Sequence, residues 1–370
     1  MKLLIHDYTP EEFAPLAAQY DGWDIVSDDG TIRPCIGCFG CWIKTPGQCV
    51  IPDAYQTMAR RIHAAEEVVV CTKWTYGGFS PFVKNVFDRS IGVVLPFFEI
   101  VDGEMHHQKR YPEAKPITVH FRGSGLDSEK QALSRRYVDA VCLNLQGMVK
   151  GVTFEELPAP ARKQADDRPV SGTVLLSGSL RGKAANSRAL LQRLNRRLGA
   201  EIVDLVSFHG DYAALAARLR AAETIVLATP LYVDGLPSAV LRLLSALEQD
   251  PGGKKRVYAI GNLGFYESRQ IQNLLAFVRS WCEQCGYVYG GGLAVGAGAM
   301  NAQLLKLPGA KNAVAGLERF ASAILDGRSV NDHYEDSFLF PRAAYVLAAN
   351  HSWIPKGKKN GLTKEELRRG

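Results

Sequence analysis

The sequence predicts an α/β protein built from two tandem, doubly wound parallel sheets of five strands each. Short β-branched runs alternate with helical patterns along the chain, which marks a parallel sheet covered on both faces. The alternation runs through twice, and a stretch rich in Pro, Ala and charge, Leu157–Ser171, parts the two rounds. The length of 370 residues suits two domains of ordinary size, and 46% hydrophobic with 22% charged residues is a globular composition.

The expected layout is a first domain at 1–156, a linker at 157–171, a second domain at 172–328 and a C-terminal tail at 329–370. Strands are expected at Lys2–Ile5, Asp24–Val26, Glu67–Cys71, Pro116–Phe121 and Met148–Phe154 in the first round. In the second they fall at Thr173–Leu176, Glu201–Val206, Thr224–Ala228, Arg256–Gly261 and Tyr287–Val295. Helices are expected at Asn186–Leu198, Tyr212–Ala222, Pro237–Glu248 and Gln270–Cys285. The third shows its class clearly, since Ala239, Val240, Leu243, Leu244 and Leu247 share one face. In the tail, Phe338, Phe340, Tyr345 and Trp353 suggest that part of it docks on a domain.

No apolar run approaches the ~18–20 residues of a membrane span, and His6 and Asp7 follow the first apolar residues too soon for a signal peptide. A cytoplasmic protein with no membrane partner is expected. The net charge of +6 is mild, and basic residues gather only near Lys356, Lys358, Lys359, Arg368 and Arg369, so no nucleic-acid partner is called for. Eight cysteines in such a compartment argue against a disulfide framework.

Open parallel sheets bind ligands at the carboxyl ends of their strands. After the first strand of the second round comes Ser177-Gly178-Ser179-Leu180-Arg181-Gly182-Lys183-Ala184-Ala185-Asn186-Ser187, leading into a helix. Hydroxyls, backbone N–H groups, a cation and a helix N-terminus together make an anion site. The loops after the third and fourth strands, Thr229–Pro237 and Asn262–Glu267, carry small and aromatic residues suited to walling a flat ring.

With these loops this half resembles the flavodoxin-like NAD(P)H-dependent FMN reductases, whose first loop runs Gly-Ser-x-Arg and then Asn-Ser or Asn-Thr; the resemblance spans about Thr173 to Ala299. It implies a flavodoxin-like fold, with the FMN phosphate on Ser177, Ser179, Arg181, Asn186 and Ser187. It sets the isoalloxazine against Pro230, Leu231, Tyr232 and Val233 and against Asn262, Leu263, Gly264 and Phe265. It also implies NAD(P)H as co-substrate and a small acceptor such as a quinone, a flavin, a nitro compound or a metal ion. The flavin carries that chemistry, so no catalytic side chain is expected. The family usually dimerises. A tandem chain would be its own pseudo-dimer, with Trp74 or Tyr76 of the first half reaching the flavin, and a homodimer stays open. The rival reading is an electron carrier or redox sensor without NAD(P)H turnover.

The first half keeps a third loop of this kind, Trp74–Pro81, but not a phosphate loop. In its place Thr9 reads as an N-cap, Pro10 as the first helical residue and Glu12 as the partner in a capping box, whose carboxylates should repel a phosphate. No FMN is expected there.

Four cysteines, Cys35, Cys38, Cys41 and Cys49, are spaced C-x2-C-x2-C-x7-C, with Gly37 and Gly40 permitting a tight path. The spacing resembles the compact motif of iron–sulfur flavoproteins, which implies a [4Fe-4S] cluster. Zinc, or thiols that are free or redox-active, fit the same residues. Cys71 and Cys142 read as core, and Cys282 and Cys285 as packing residues.

Overall fold

The computed structural model describes residues 1–297, 311–336 and 341–369. The chain forms two compact units: Met1–Pro160 together with Ala343–Gly370, and Ala161–Arg342.

In the first unit, β1 (Leu3–His6), β2 (Asp24–Val26), β3 (Val68–Lys73), β6 (Lys115–Gly123) and β7 (Gly147–Glu156) form one parallel sheet in the order β2-β1-β3-β6-β7. This is the flavodoxin-like order. The central strands are apolar on both faces, as a sheet covered on both sides requires: Leu3, Leu4, Ile5, Val68 and Val70 are buried. An antiparallel hairpin, β4 (Val94–Val101) with β5 (Glu104–Lys109), was not expected from the sequence. The β1–β2 connection holds only the single turn α1 (Pro10–Phe13) and a 3-10 turn at Ala17–Tyr20. Then come α2 (Gly40–Ile43), α3 (Met58–Ala64), α4 (Pro81–Arg89) and α5 (Ser128–Asn144). Side chains cap α4 and α5, Ser80 and Asp127 accepting from Val83 N and Lys130 N.

The second unit repeats the order. β8 (Thr173–Ser177), β9 (Glu201–Asp204), β10 (Thr224–Pro230), β11 (Arg256–Asn262) and β12 (Val288–Val295) lie as β9-β8-β10-β11-β12. A sixth strand beyond the expected five, β13 (His333–Glu335), pairs in parallel with β12. The helices are α6 (Asn186–Leu198), α7 (Tyr212–Arg220), α8 (Ser238–Gln249), α9 (Gln272–Cys285) and Lys311–Leu325. One core cluster joins Leu190, Leu191 and Leu194 of α6 to Leu175, Val226, Ile260 and Leu293 of the sheet and to Leu317 and Phe320.

The linker segment 157–171 is largely exposed and is laid along the second unit. Ala165 N donates to Cys285 O, Asp166 N donates to Gly252 O, and Arg168 pairs with Asp166 and Asp250. The tail divides, because β13 belongs to the second unit while most of the helix Arg342–Lys358 belongs to the first. There Asn350 accepts from Phe98 N (2.6 Å) and donates to Phe98 O (3.0 Å), sealing the backbone of β4. Trp353 packs edge-on against Phe39 and Trp42, and Arg110 donates to Leu367 O and Arg369 O. Tyr345 and Trp353 are buried; Phe338 and Phe340 lie outside the described residues. Replacing Trp353 with Ala is expected to cost about 3 kcal/mol by emptying this aromatic contact, measured as a shift of the urea midpoint at constant slope.

Candidate functional site

The carboxyl edge of the second sheet brings three loops together. β8 ends at Ser177, fully buried, whose Oγ has no hydrogen-bond partner among the described residues. Gly178 N donates to Ala228 O (2.8 Å), drawing the loop against β10. A Cβ on Gly178 would stand 2.9 Å from Val240 Cγ2 and 3.1 Å from Thr229, so only glycine allows this approach. Ser179 is buried and accepts from Arg181 N (3.3 Å); Arg181 is exposed. After a 3-10 turn at Gly182–Ala184 the chain enters α6 through Ala185, which has no side chain able to cap. Asn186 and the buried Ser187 form the first turn. The free N–H groups of a thirteen-residue helix thus stand beside an unpartnered hydroxyl.

The second loop leaves β10 at Pro230. Leu231 N donates to Asn262 O (2.8 Å), which ties it to the third loop. Tyr232 and Gly235 exchange two backbone hydrogen bonds around a two-residue turn in which Val233 and Asp234 have φ of 39° and 58°. A β-branched residue in the left-handed region costs about 1–3 kcal/mol and is held there by its surroundings. Asp234 is buried in this turn, a position that sequence reading passed over.

The third loop begins at Asn262, buried, with an Oδ1 that lacks a partner among the described residues. Leu263 is buried, Gly264 exposed and Phe265 half-buried, its carbonyl accepting from Ala297 N. A buried polar group follows that sequence reading also missed. Glu267 pairs with Arg342, and Asp336 accepts from both N and Oγ of Ser268. Burial first, then the charges of Asp336 and Glu267, raise the Tyr266 hydroxyl above its ordinary range.

All thirteen residues singled out for a flavin therefore lie on these three loops of one sheet edge. The donor set fits a mononucleotide. Orphaned polar atoms on Ser177 and Asn262, a glycine cradle and an uncapped helix await an anion with a flat, polar head.

At the matching edge of the first sheet charged groups pair with one another, while His6 Nε2 and Arg122 Nε are buried without a partner among the described residues. Thr9 caps α1 by accepting from Glu12 N, and Glu12 returns the bond to Thr9 N. Asp7 accepts from Lys73 N (2.8 Å) and Arg122 Nη2 (3.1 Å), while Arg122 also reaches Glu12 and lies 3.8 Å from the Tyr8 ring centroid. Arg122 is buried, so this ion-pair cluster fills the place a phosphate would take. Nearby, the indole of Trp74 donates to Ser134 Oγ (2.8 Å) and Tyr76 is buried.

The cysteine loop is tied together by the buried guanidinium of Arg89. All five guanidinium N–H groups have acceptors: Cys49 Sγ on Nε (3.0 Å), Arg33 O and Asp53 Oδ2 on Nη1, and Ile51 O and Asp53 Oδ1 on Nη2. Cys38 is exposed, whereas Cys41 and Cys49 are buried. Burial first, then Asp88 and neighbouring thiols, push Cys35 up to about 12, and burial with the other three thiols pushes Cys41 well above the usual range. Among the described residues no group of three or more His, Cys, Asp or Glu is placed to hold a metal ion. Cys35, Cys38, Cys41 and Cys49 lie close enough for the other three thiols to act on Cys41, and they differ in exposure. The remaining four cysteines are buried packing residues.

No family model matches the chain, and no curated protein does. Among solved structures it is similar to the Trp repressor binding protein from Bacillus subtilis, with 15% identity, 37% of this chain and 98% of the other covered, and a TM-score of 0.29. It is similar to an azoreductase from Bacillus anthracis str. Sterne, with 14% identity, 41% and 97% covered, and a TM-score of 0.30. A third is the NAD(P)H:quinone oxidoreductase from Methanothermobacter marburgensis, with 12% identity, 42% and 95% covered, and a TM-score of 0.29. Each match takes in nearly all of the other protein and less than half of this chain.

Two outcomes are expected. Burial disfavours the Asp53 carboxylate, but the hydrogen bonds and charge of Arg89 outweigh it and hold the group below its ordinary value. That contribution is present above the unfolded carboxyl pKa of about 4 and is lost as pH falls through the depressed folded value. Urea unfolding at a series of acidic pH values should show a shallower acid decline for Asp53→Asn, on a lower neutral plateau. Flavin released by denaturing protein saturated with FMN should amount to one per chain, since Asp7, Glu12 and Arg122 pair with one another at the edge of the first sheet.

Proposed function

We propose that the chain is an FMN-dependent NAD(P)H oxidoreductase that passes electrons to a small acceptor such as a quinone, a flavin, a nitro compound or a metal ion. The observation that carries this reading is the buried, unpartnered Ser177 hydroxyl beside the uncapped N-terminus of α6. The flavin, when bound, would supply the hydride and electron chemistry. The chain's own residues bind and orient it. Ser177, Ser179, Ser187, Asn186 and Arg181 would hold the phosphate by hydrogen bonds and charge, helped by the helix dipole. The turn Tyr232–Gly235 and the loop from Asn262 to Phe265 would flank the ring, and their mutual tie through Leu231 N keeps that gap fixed. Pro230, Leu231, Tyr232 and Val233 supply a rigid, largely apolar wall that excludes water from one side. No acid or base is required of the protein, because the flavin would carry the chemistry. The two units share one flavodoxin-like strand order, and the edge of the first is occupied by the Asp7, Glu12 and Arg122 ion pairs.

The test is anaerobic addition of NADPH or NADH to the FMN-loaded protein. Bleaching of the visible flavin band, reversed by a soluble quinone, is the expected result; an intact spectrum would refute the reductase reading. Gly178→Val should weaken FMN binding at least about tenfold, because its side chain would force the loop off β10 and α8. Fluorescence titration reads the affinity, and an unchanged circular dichroism spectrum shows that the fold survives.

A further inference from the structure

We propose that Lys183 selects NADPH over NADH by pairing with the 2′-phosphate of the adenosine ribose, an inference that rests on the oxidoreductase reading above. The two nucleotides differ only in that phosphate, so discrimination needs a cation not already committed to another group.

The cations on this loop and on α6 can be sorted by what they touch. Arg188 pairs with Asp204, and Arg193 and Arg197 both pair with Glu318. Arg196 lies in the last turn of α6, at the end away from the loops. Arg181 precedes the turn and belongs to the set assigned to the flavin phosphate. Lys183 is left over: it is exposed and has no hydrogen-bond or ion-pair partner among the described residues.

Its backbone is nevertheless fixed. Lys183 is the middle residue of the 3-10 turn Gly182–Ala184, closed by Ala184 N donating to Arg181 O and Ala185 N to Gly182 O. The turn packs on a second 3-10 turn, Leu205–Phe208, that follows β9. Gly182 has φ of 55°, and a Cβ there would come 3.2 Å from Val206 Cγ1. Asp204, the acid at the end of β9, is already taken by Arg188 and does not compensate the lysine. An uncompensated ammonium therefore stands on a hydrogen-bonded turn of the same loop that begins at the unpartnered Ser177. A phosphate dianion is what such a position recognises, and one charge-assisted contact is worth about tenfold in affinity.

The test compares the full-length wild type with Lys183→Ala and Lys183→Glu. Calorimetric titration with adenosine 2′,5′-bisphosphate and with 5′-AMP needs no turnover. The bisphosphate should bind more tightly to the wild type, and the advantage should fall about tenfold in Lys183→Ala and vanish in Lys183→Glu. In steady-state assays of FMN-loaded protein, the KM for NADPH should rise in the same order while that for NADH and the FMN content stay unchanged. Equal binding of the two adenosine phosphates by the wild type, or equal effects of the variants on both nucleotides, would overturn the assignment with the oxidoreductase reading intact. FMN-loaded protein that oxidises neither nucleotide would overturn that reading and this inference with it.

Discussion

A strand of a parallel sheet that runs straight into a helix delivers that helix's first N–H groups, unsatisfied, to the carboxyl edge of the sheet. Something must accept from them, and the two units answer differently. In the first, Thr9 and Glu12 cap α1 from within, and the carboxylates of Asp7 and Glu12 then require Arg122 as a counter-charge. In the second, Ala185 cannot cap, the donors at the start of α6 stay open, and Gly178 and Ser177 line the approach. One sheet order thus yields one filled edge and one edge that demands a ligand.

The backbone of the repeat outlasts its sequence. Thr75–Gly78 in the first unit and Tyr232–Gly235 in the second each close by the same reciprocal pair of hydrogen bonds, and in each both central residues have positive φ. The first turn carries Tyr76 and Gly77, the second Val233 and Asp234. The second unit holds the more strained version, with a β-branched residue at positive φ. Strain of about 1–3 kcal/mol persists only where neighbours over-determine it; here the tie of Leu231 N to Asn262 O does so.

Much of this was legible in the sequence. The central strands announce themselves as apolar runs such as Val68-Val69-Val70, the capping box is spelled out by Thr9 and Glu12, and the loop from β8 into α6 by Ser177 to Ser187. Other features were not legible, because they depend on contacts distant in the chain. Pro96 inside β4 and the polar alternation of β5 hide the hairpin. The Arg89–Asp53 pair joins residues 36 apart, and with it comes the hydrogen bond from Arg89 to Cys49 that spacing alone does not show. The polar group Glu267–Arg342 spans 75 positions. Periodicity reports which face a residue lies on, not what it meets there.

The return of Ala343–Gly370 to the first unit makes the second unit an insertion within the first. Synthesis proceeds from the N-terminus, so all of Ala161–Arg342 leaves the ribosome, and can complete its own sheet, before the first unit receives Asn350 and Trp353. Until then the β4 backbone at Phe98 and the ring of Trp42 lack their cover, an open strand edge beside an aromatic surface. The part that begins first is finished last, and a nascent chain stalled before Asn350 would leave that edge and that ring bare.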